Sequence, residues 1–534
     1  MNKKTIYFII GVTLFLSSCC SGCLFEDLFF GTSFTLKSWS IIDDEGFPAL
    51  NISYSCSGMV TVKLFTADHS QVDSDFFFRG DGYTVLHIGE YRETTPSTVY
   101  VLKVYDKKND EIFSKSFSFI NPDVSISTCT QRWWVHGDVT MLIGLTMQVF
   151  NNGDHPVYPY SITMEVGSNQ FSSLVLPSVV LPGESKTINC FIHLDGTPSV
   201  DSFKITLKDS NGLVLNYSFF SFEIKNSVST RVFTEGVPSK LVVPYPDFLF
   251  NYYTSLKRFS GEEDYSVYVF DPYDDGYLDV FIDRLVSTLP FGEYSFNAKN
   301  DAEKIDFVTK FVQFLEYRED DPLNLSKEYP NYPVETLFNH DIGCDCEDKA
   351  ILTASLLDRL GFNVSLLRLP NHMAVGVKLN KSIVPGYKVY TGDYYFLETT
   401  TENAKVGFIP PMYRSPSELT VYEISSRPVI FHHWKNDVLT TYLNTEIGDI
   451  VKANVIVENH GRGTAKNIVV KGVFKTVSGS ELNSEIVSIQ SIKPGTKKKV
   501  SFYVETPDVT SKFETLVFYN GEVVDTKESS SYIS

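Results

Sequence analysis

Residues 343–350 read GCDCEDKA, and the fold of the middle of the chain turns on what Cys346 begins. From Cys346 onward come good helix formers with apolar residues at Ala350, Ile351, Ala354, Leu357 and Leu360, and Gly361 supplies a helix stop. The spacing predicts a helix over 346–360 with Cys346 at its mouth. A cysteine there meets unpaired N–H groups and the positive end of the helix dipole, which favour the thiolate. Glu347 and Asp348 fall in the first turn, where carboxylates complement the dipole. Their charge also opposes thiolate formation, so a neighbouring base has to be the main activator.

The downstream sequence offers that base and an acid to orient it. NVSLLRLP (363–370) reads as a buried strand, NHMAVGVKL (371–379) as a second strand opening with His372, and DYYFLETT (393–400) as a third carrying Glu398 near its end. Cys346, His372 and Glu398 stand 26 positions apart in turn, so a helix and two strands can bring them together. In that arrangement the imidazole takes the thiol proton, and the carboxylate fixes the tautomer and stabilises the imidazolium.

A glycine then a cysteine at a helix start, a histidine opening a strand, and an acidic residue before threonine on the next strand resemble the transglutaminase-like branch of the papain-like cysteine enzymes. The likeness is tightest from Tyr329 to Thr400, where YPNYPVETL, GCDCEDKAILTASLLDRLGFNV, LPNHMAVGV and YYFLETT follow in the family's order. The resemblance implies an α+β core, a Cys346–His372–Glu398 triad, and acyl transfer through a thioester to water or an amine, without a cofactor. Two departures stand out: Glu398 replaces the usual aspartate, and a second cysteine, Cys344, precedes Cys346. The Cys346 N–H is one expected oxyanion donor, with Gln313 or Tyr332 as upstream candidates for the second. A zinc reading of the CxC pair is disfavoured, because structural zinc takes four ligands with longer cysteine spacing and no second pair follows. A Cys344–Cys346 disulfide would be strained.

Around this island the chain reads as strands. Short alternating runs such as TVKLF and VYVLKVY between turn residues predict a β-sandwich over 33–120. Two immunoglobulin-like sandwiches are predicted over 123–226 and 428–534, flanking a catalytic domain at 245–425. The last sandwich repeats features of the second: Gly137-Asp138 matches Gly448-Asp449, Asn151-Asn152-Gly153 matches Asn459-His460-Gly461, and Leu181-Pro182-Gly183 matches Lys493-Pro494-Gly495. Helical spacing also runs from Gly276 to Leu289 and from Asp301 to Tyr317. The expected fold class is therefore multi-domain, an α+β papain-like or transglutaminase-like core among all-β sandwiches.

The N-terminus sets the expected location. Lys3 and Lys4 precede an apolar run of 12 residues, Thr5 to Leu16, followed by Ser17, Ser18 and Cys19 in a pattern that resembles the lipobox of exported lipoproteins. The run is short of the about 20 residues that span a bilayer, which favours a signal peptide over 1–18 and lipidation of Cys19, then a linker over 19–32. An uncleaved anchor is the alternative. At 534 residues, 43% hydrophobic and 14% aromatic, the chain can build several cores, and its net charge of -19 argues against nucleic acid. The expected partners are the membrane, through a lipid or anchor, and a peptide or protein acyl donor at the cell surface. Beyond the export signal remain Cys56, Cys129, Cys190, Cys344 and Cys346, an odd number that leaves a free thiol, with a Cys129–Cys190 bridge open. A non-catalytic surface scaffold is the alternative function.

Overall fold

The computed structural model describes residues 31–94, 98–258, 264–290, 292–320, 329–339, 344–383, 388–445 and 448–530. The expected signal peptide, Cys19, nearly all of the expected linker and Gly343 lie outside the described residues. The molecule is mostly β, built from many sheets. It divides into two compact units, one of residues up to Ser40 with Leu50–Leu86 and Val99–Phe117, the other of Ile41–Ala49, His87–Thr98 and Ser118–Ser534. The first unit centres on a four-stranded sheet ordered Gln71–Phe77, Val60–Thr66, Val99–Asp106, Glu111–Ser118. Its period-two alternation buries Val60, Val62, Leu64, Leu102 and Val104.

Within the second unit, two sets of strands share one topology. Val124–His136, Val139–Asn151 and Ser185–Cys190 lie side by side as Ile430–Thr445, Gly448–Asn459 and Lys497–Glu505 do. The companion sheets also match, Asn169–Leu174, Ser161–Val166, Ser202–Lys208, Val214–Ser221 against Glu481–Ile492, Ala465–Thr476, Ser511–Tyr519, Glu522–Glu528.

The sequence repeat has a physical cause in a buried asparagine. Asn151 Nδ2 donates to the carbonyls of His155 (2.8 Å) and Val180 (2.9 Å), and its Oδ1 accepts from Gly153 N–H (2.9 Å). Asn459 does the same with the carbonyls of Gly463 (2.7 Å) and Ile492 (3.0 Å) and with Gly461 N–H (3.1 Å). The main-chain carbonyl of each asparagine accepts from the glycine of the Pro-Gly turn, Gly183 or Gly495. Those glycines sit at φ 71° and 65°, the left-handed region that a side chain disfavours.

Cys129 and Cys190 are both free. They flank the strand Val139–Asn151, opposite Met147 and Leu145 respectively. Strands two places apart in a sheet are roughly 9–10 Å apart, beyond the Cα span of a disulfide.

Between these strand sets lies the helical island. A four-stranded antiparallel sheet is ordered Tyr394–Leu397, His372–Lys378, Val364–Leu369, Thr420–Glu423. The helix Cys346–Arg359 packs on its two central strands and is flanked by Val267–Phe270, Asp275–Val286, Asp301–Gln313 and Pro333–Phe338. The expected apolar stripe understates the result, because every residue from Glu347 to Leu357 is buried. The helix Asp301–Gln313 begins with a reciprocal capping box between Asn300 and Glu303, both bonds 3.0 Å. It ends short of the expected Tyr317. Its C-terminal carbonyls are met by Lys349 instead, whose Nζ donates to Gln313 O (3.1 Å) and Leu315 O (2.6 Å).

Replacing Asn459 by alanine strands the carbonyls of Gly463 and Ile492 and the N–H groups of Gly461 and Val429. The expected loss is about 2–3 kcal/mol, read as faster amide hydrogen exchange across 448–505 with residues 124–221 unchanged.

Candidate active site

The start of the Cys346 helix is held by a buried carboxylate. Asp348 accepts from Asn331 N–H (2.7 Å), Asn331 Nδ2 (2.6 Å) and Asp345 N–H (3.3 Å). Burial, with Asp345 nearby, pushes its carboxyl well above the usual range, and the Asn331 bonds oppose that rise. Asn331 is fixed in turn by a buried ion pair. Arg258 Nη2 bonds both oxygens of Glu335 at 2.6 Å, and Arg258 Nε donates to Pro330 O at 2.8 Å. Glu335 also accepts from Tyr332 N–H at 2.9 Å, so the loop before Pro333 is held at several points. On the other side, Cys344 exchanges main-chain hydrogen bonds with Arg318 (3.0 and 3.3 Å) and is itself buried.

His372 and Glu398 reach each other through the sheet. The hairpin Leu369↔His372 closes over Pro370 and Asn371, the latter at φ 55°. Val375 pairs with Leu397, so one step further along the ladder puts Glu398 opposite Ala374 and on the face of His372. His372 Nε2 and Glu398 Oε2 lie 3.1 Å apart. Glu398 Oε1 accepts from Thr400 N–H (2.8 Å) and Thr400 Oγ1 (2.6 Å). Burial alone would raise the Glu398 carboxyl, but the bonds and charge of His372 and the Thr400 donors overcome it and hold it at about 2. The ring of Tyr413 stacks on His372 at 4.7 Å and 7°.

Cys346 meets the main chain of the strand that His372 opens. Met373 N–H, next in the chain to His372, donates toward its sulfur, and the Tyr413 phenol is raised by burial and by the charges of Glu398 and Cys346. The thiol itself, however, donates to Glu347 Oε2 at 3.2 Å. The expected thiolate is therefore corrected. Burial pushes the Cys346 thiol well up, Glu347 and Asp345 add to the rise, and the Met373 N–H offsets only part of it. A helix terminus acts through an exposed field, whereas desolvation and two adjacent carboxylates act at contact distance and win.

Both upstream oxyanion candidates are spoken for. Gln313 Nε2 donates to Glu398 O (2.8 Å) and Ala404 O (2.9 Å). Tyr332 is buried in an aromatic cluster, stacked on Tyr253 at 4.5 Å and edge-on to Tyr268 at 4.9 Å. Tyr317 and Tyr413, which no motif marked, are the aromatic residues whose phenols feel the Cys346 charge. Asp345, Cys346 and Glu347 bring their ligand atoms within 4.8 Å of one another. Three consecutive residues fall short of a four-ligand structural zinc site, and His372 Nε2 is turned to Glu398. Cys344 and Cys346 are both free thiols.

The depressed Glu398 carboxyl contributes stability that is fully present above the ordinary glutamate value of about 4.3 and is lost as pH falls through about 2. Glu398→Gln is expected to unfold at lower urea than the wild type at neutral pH, with the gap narrowing as pH falls. A gap independent of pH would show that the carboxylate charge contributes nothing.

No protein-family model matches the chain, and no curated protein matches it. Among solved structures, the chain is similar to the exo-chitosanase CsxA of Amycolatopsis orientalis at 10% identity, covering 91% of this chain and 76% of that one, with a TM-score of 0.16. A red sea bream transglutaminase matches at 8% identity over 72% of this chain and 79% of its own, with a TM-score of 0.16. The YadV chaperone matches at 12% identity over 36% of this chain and all of its own, with a TM-score of 0.14. Superpositions this loose carry no argument about the chain's fold or chemistry.

Proposed function

We propose that the chain is an extracytoplasmic thiol enzyme, transglutaminase-like in its core, that transfers the acyl group of a peptide or protein amide through a thioester at Cys346. The observation that carries this reading is the 3.1 Å contact of Glu398 Oε2 with Nε2 of His372, which opens the strand whose Met373 N–H meets the Cys346 sulfur. With Nε2–H donated to the carboxylate, Nδ1 is the nitrogen left to take the thiol proton. The S–H bond breaks, sulfur attacks the amide carbonyl, and the oxyanion faces the Cys346 N–H. The imidazolium then protonates the leaving amine, and the thioester passes its acyl group to water or to a second amine. Hydrolysis, as in a peptidase or amidase, is the favoured outcome outside a cell, where water is abundant.

A second reading, a non-catalytic surface scaffold, draws its support from the Cys346–Glu347 contact, which keeps the sulfur protonated at rest. The lipobox-like stretch before Cys19 supports anchoring at a membrane surface. Among the described residues no helix is long and apolar enough to cross a membrane.

Cys346→Ala is expected to abolish turnover of a peptide amide and labelling by a thiol-directed activity probe. Glu398→Gln should lower the acyl-transfer rate about tenfold or more while leaving slow labelling in place. Wild-type turnover in either variant would take that residue out of the catalytic set, whereas a wild type that neither turns over peptide amides nor labels at Cys346 would favour the scaffold. Intact-mass measurement of membrane-extracted protein should find a chain beginning at a lipidated Cys19; an unmodified, uncleaved N-terminus would point to the anchor instead.

A further inference from the structure

One contact at the site has no part in the acyl-transfer steps above. The Cys346 thiol spends its only proton on Glu347 Oε2, 3.2 Å away, although the strand that meets its sulfur through Met373 N–H opens with a histidine paired to a carboxylate. Glu347 is the residue next in the helix and is itself buried.

We propose that Glu347 is a positioning residue that holds Cys346 in a resting, protonated state, so that the sulfur passes to His372 only when this contact opens. The proposal rests on the acyl-transfer reading for the role of His372, but the contact itself does not. One S–H can make one good hydrogen bond at a time, and a carboxylate is a stronger acceptor than a neutral imidazole. A carboxylate this close also destabilises the thiolate by charge. Opening frees the Cys346 side chain from Glu347. The proton then leaves Glu347 Oε2 as acceptor and moves from Sγ to His372 Nδ1, giving a thiolate and an imidazolium with no co-reactant.

The groups that face the sulfur come from each neighbouring element. Asp345 and Glu347 lie at the helix start, and Met373 N–H points at it from the strand His372–Lys378, which opens with His372, whose imidazole pairs with Glu398. Tyr317 follows the helix Asp301–Gln313, and Tyr413 ends the short turn Pro411–Tyr413. Asp348 and Lys349 are turned away, to Asn331 and to the carbonyls of Gln313 and Leu315. Of the carboxylates, Glu347 alone accepts the thiol's hydrogen bond, which burial and the charge of Asp345 reinforce.

The test is the pH profile of iodoacetamide alkylation at Cys346, read by peptide mass spectrometry on the full chain. Glu347→Gln is nearly isosteric and should shift the profile to lower pH by about one unit, roughly a tenfold faster reaction at neutral pH. Glu347→Asp keeps the charge but shortens the reach, so it should shift the profile part of the way and serves if the glutamine variant folds poorly. Adding His372→Ala to Glu347→Gln separates the two ideas. Acceleration that the histidine removes supports both; acceleration indifferent to His372 keeps the Glu347 contact and overturns the acyl-transfer reading. A profile unmoved or raised in both Glu347 variants overturns the proposal.

Discussion

Asp348 is a carboxylate with almost no access to water, and its three hydrogen bonds hold together the loop at Asn331, the Asp345 cap and the first turn of the Cys346 helix. A buried carboxylate is tolerated only when its acceptors are occupied. Asn331 supplies two donors at once and therefore has to be held in register. That requirement runs outward to Arg258 and Glu335, a pair in which Arg258 Nη2 meets both carboxylate oxygens, while the guanidinium also donates to the Tyr329 hydroxyl and to main-chain carbonyls of the same neighbourhood. Breaking either partner would leave an uncompensated charge in the interior. The loop, the helix start and the sulfur are thus linked through polar groups that cannot be exchanged singly.

The same enclosure explains why the Cys346 thiol is pushed up. A helix buried all round fixes its first residue closely, but it also removes the water that would stabilise a thiolate. The carboxylates that suit a helix N-terminus by their charge then act on sulfur from contact distance. Geometry and acidity therefore pull against each other at Cys346, and the His372–Glu398 pair, with Tyr413 laid over the ring, stands as the site's counterweight.

Much of the local architecture was legible from residue patterns. The helix starting at Cys346, the strand opened by His372 and the strand before Glu398 each follow from periodicity and from stops at Gly361, Pro370 and the turn residues between. The mostly β, multi-domain character was readable from short alternating runs. Turn residues also pointed to the kinship of two strand sets, and the hydrogen bonds of Asn151 and Asn459 give that likeness its cause. Contacts that join distant segments were not legible. Gln313 and Tyr332 sat plausibly upstream of the cysteine, yet one is occupied by the Glu398 and Ala404 carbonyls and the other by aromatic rings.

What the sequence determined by itself is the order and type of elements and the positions of the chemically capable side chains, because propensity, capping and alternation act over a few residues. What the tertiary structure decided is the state of those side chains. The partner of the thiol, the depressed carboxyl of Glu398 and the raised one of Asp348 all depend on burial and on neighbours that the fold brings to contact, among them Glu347, His372 and Asn331. Desolvation and short-range hydrogen bonding set these energies, and both exist only once the chain has closed around the site.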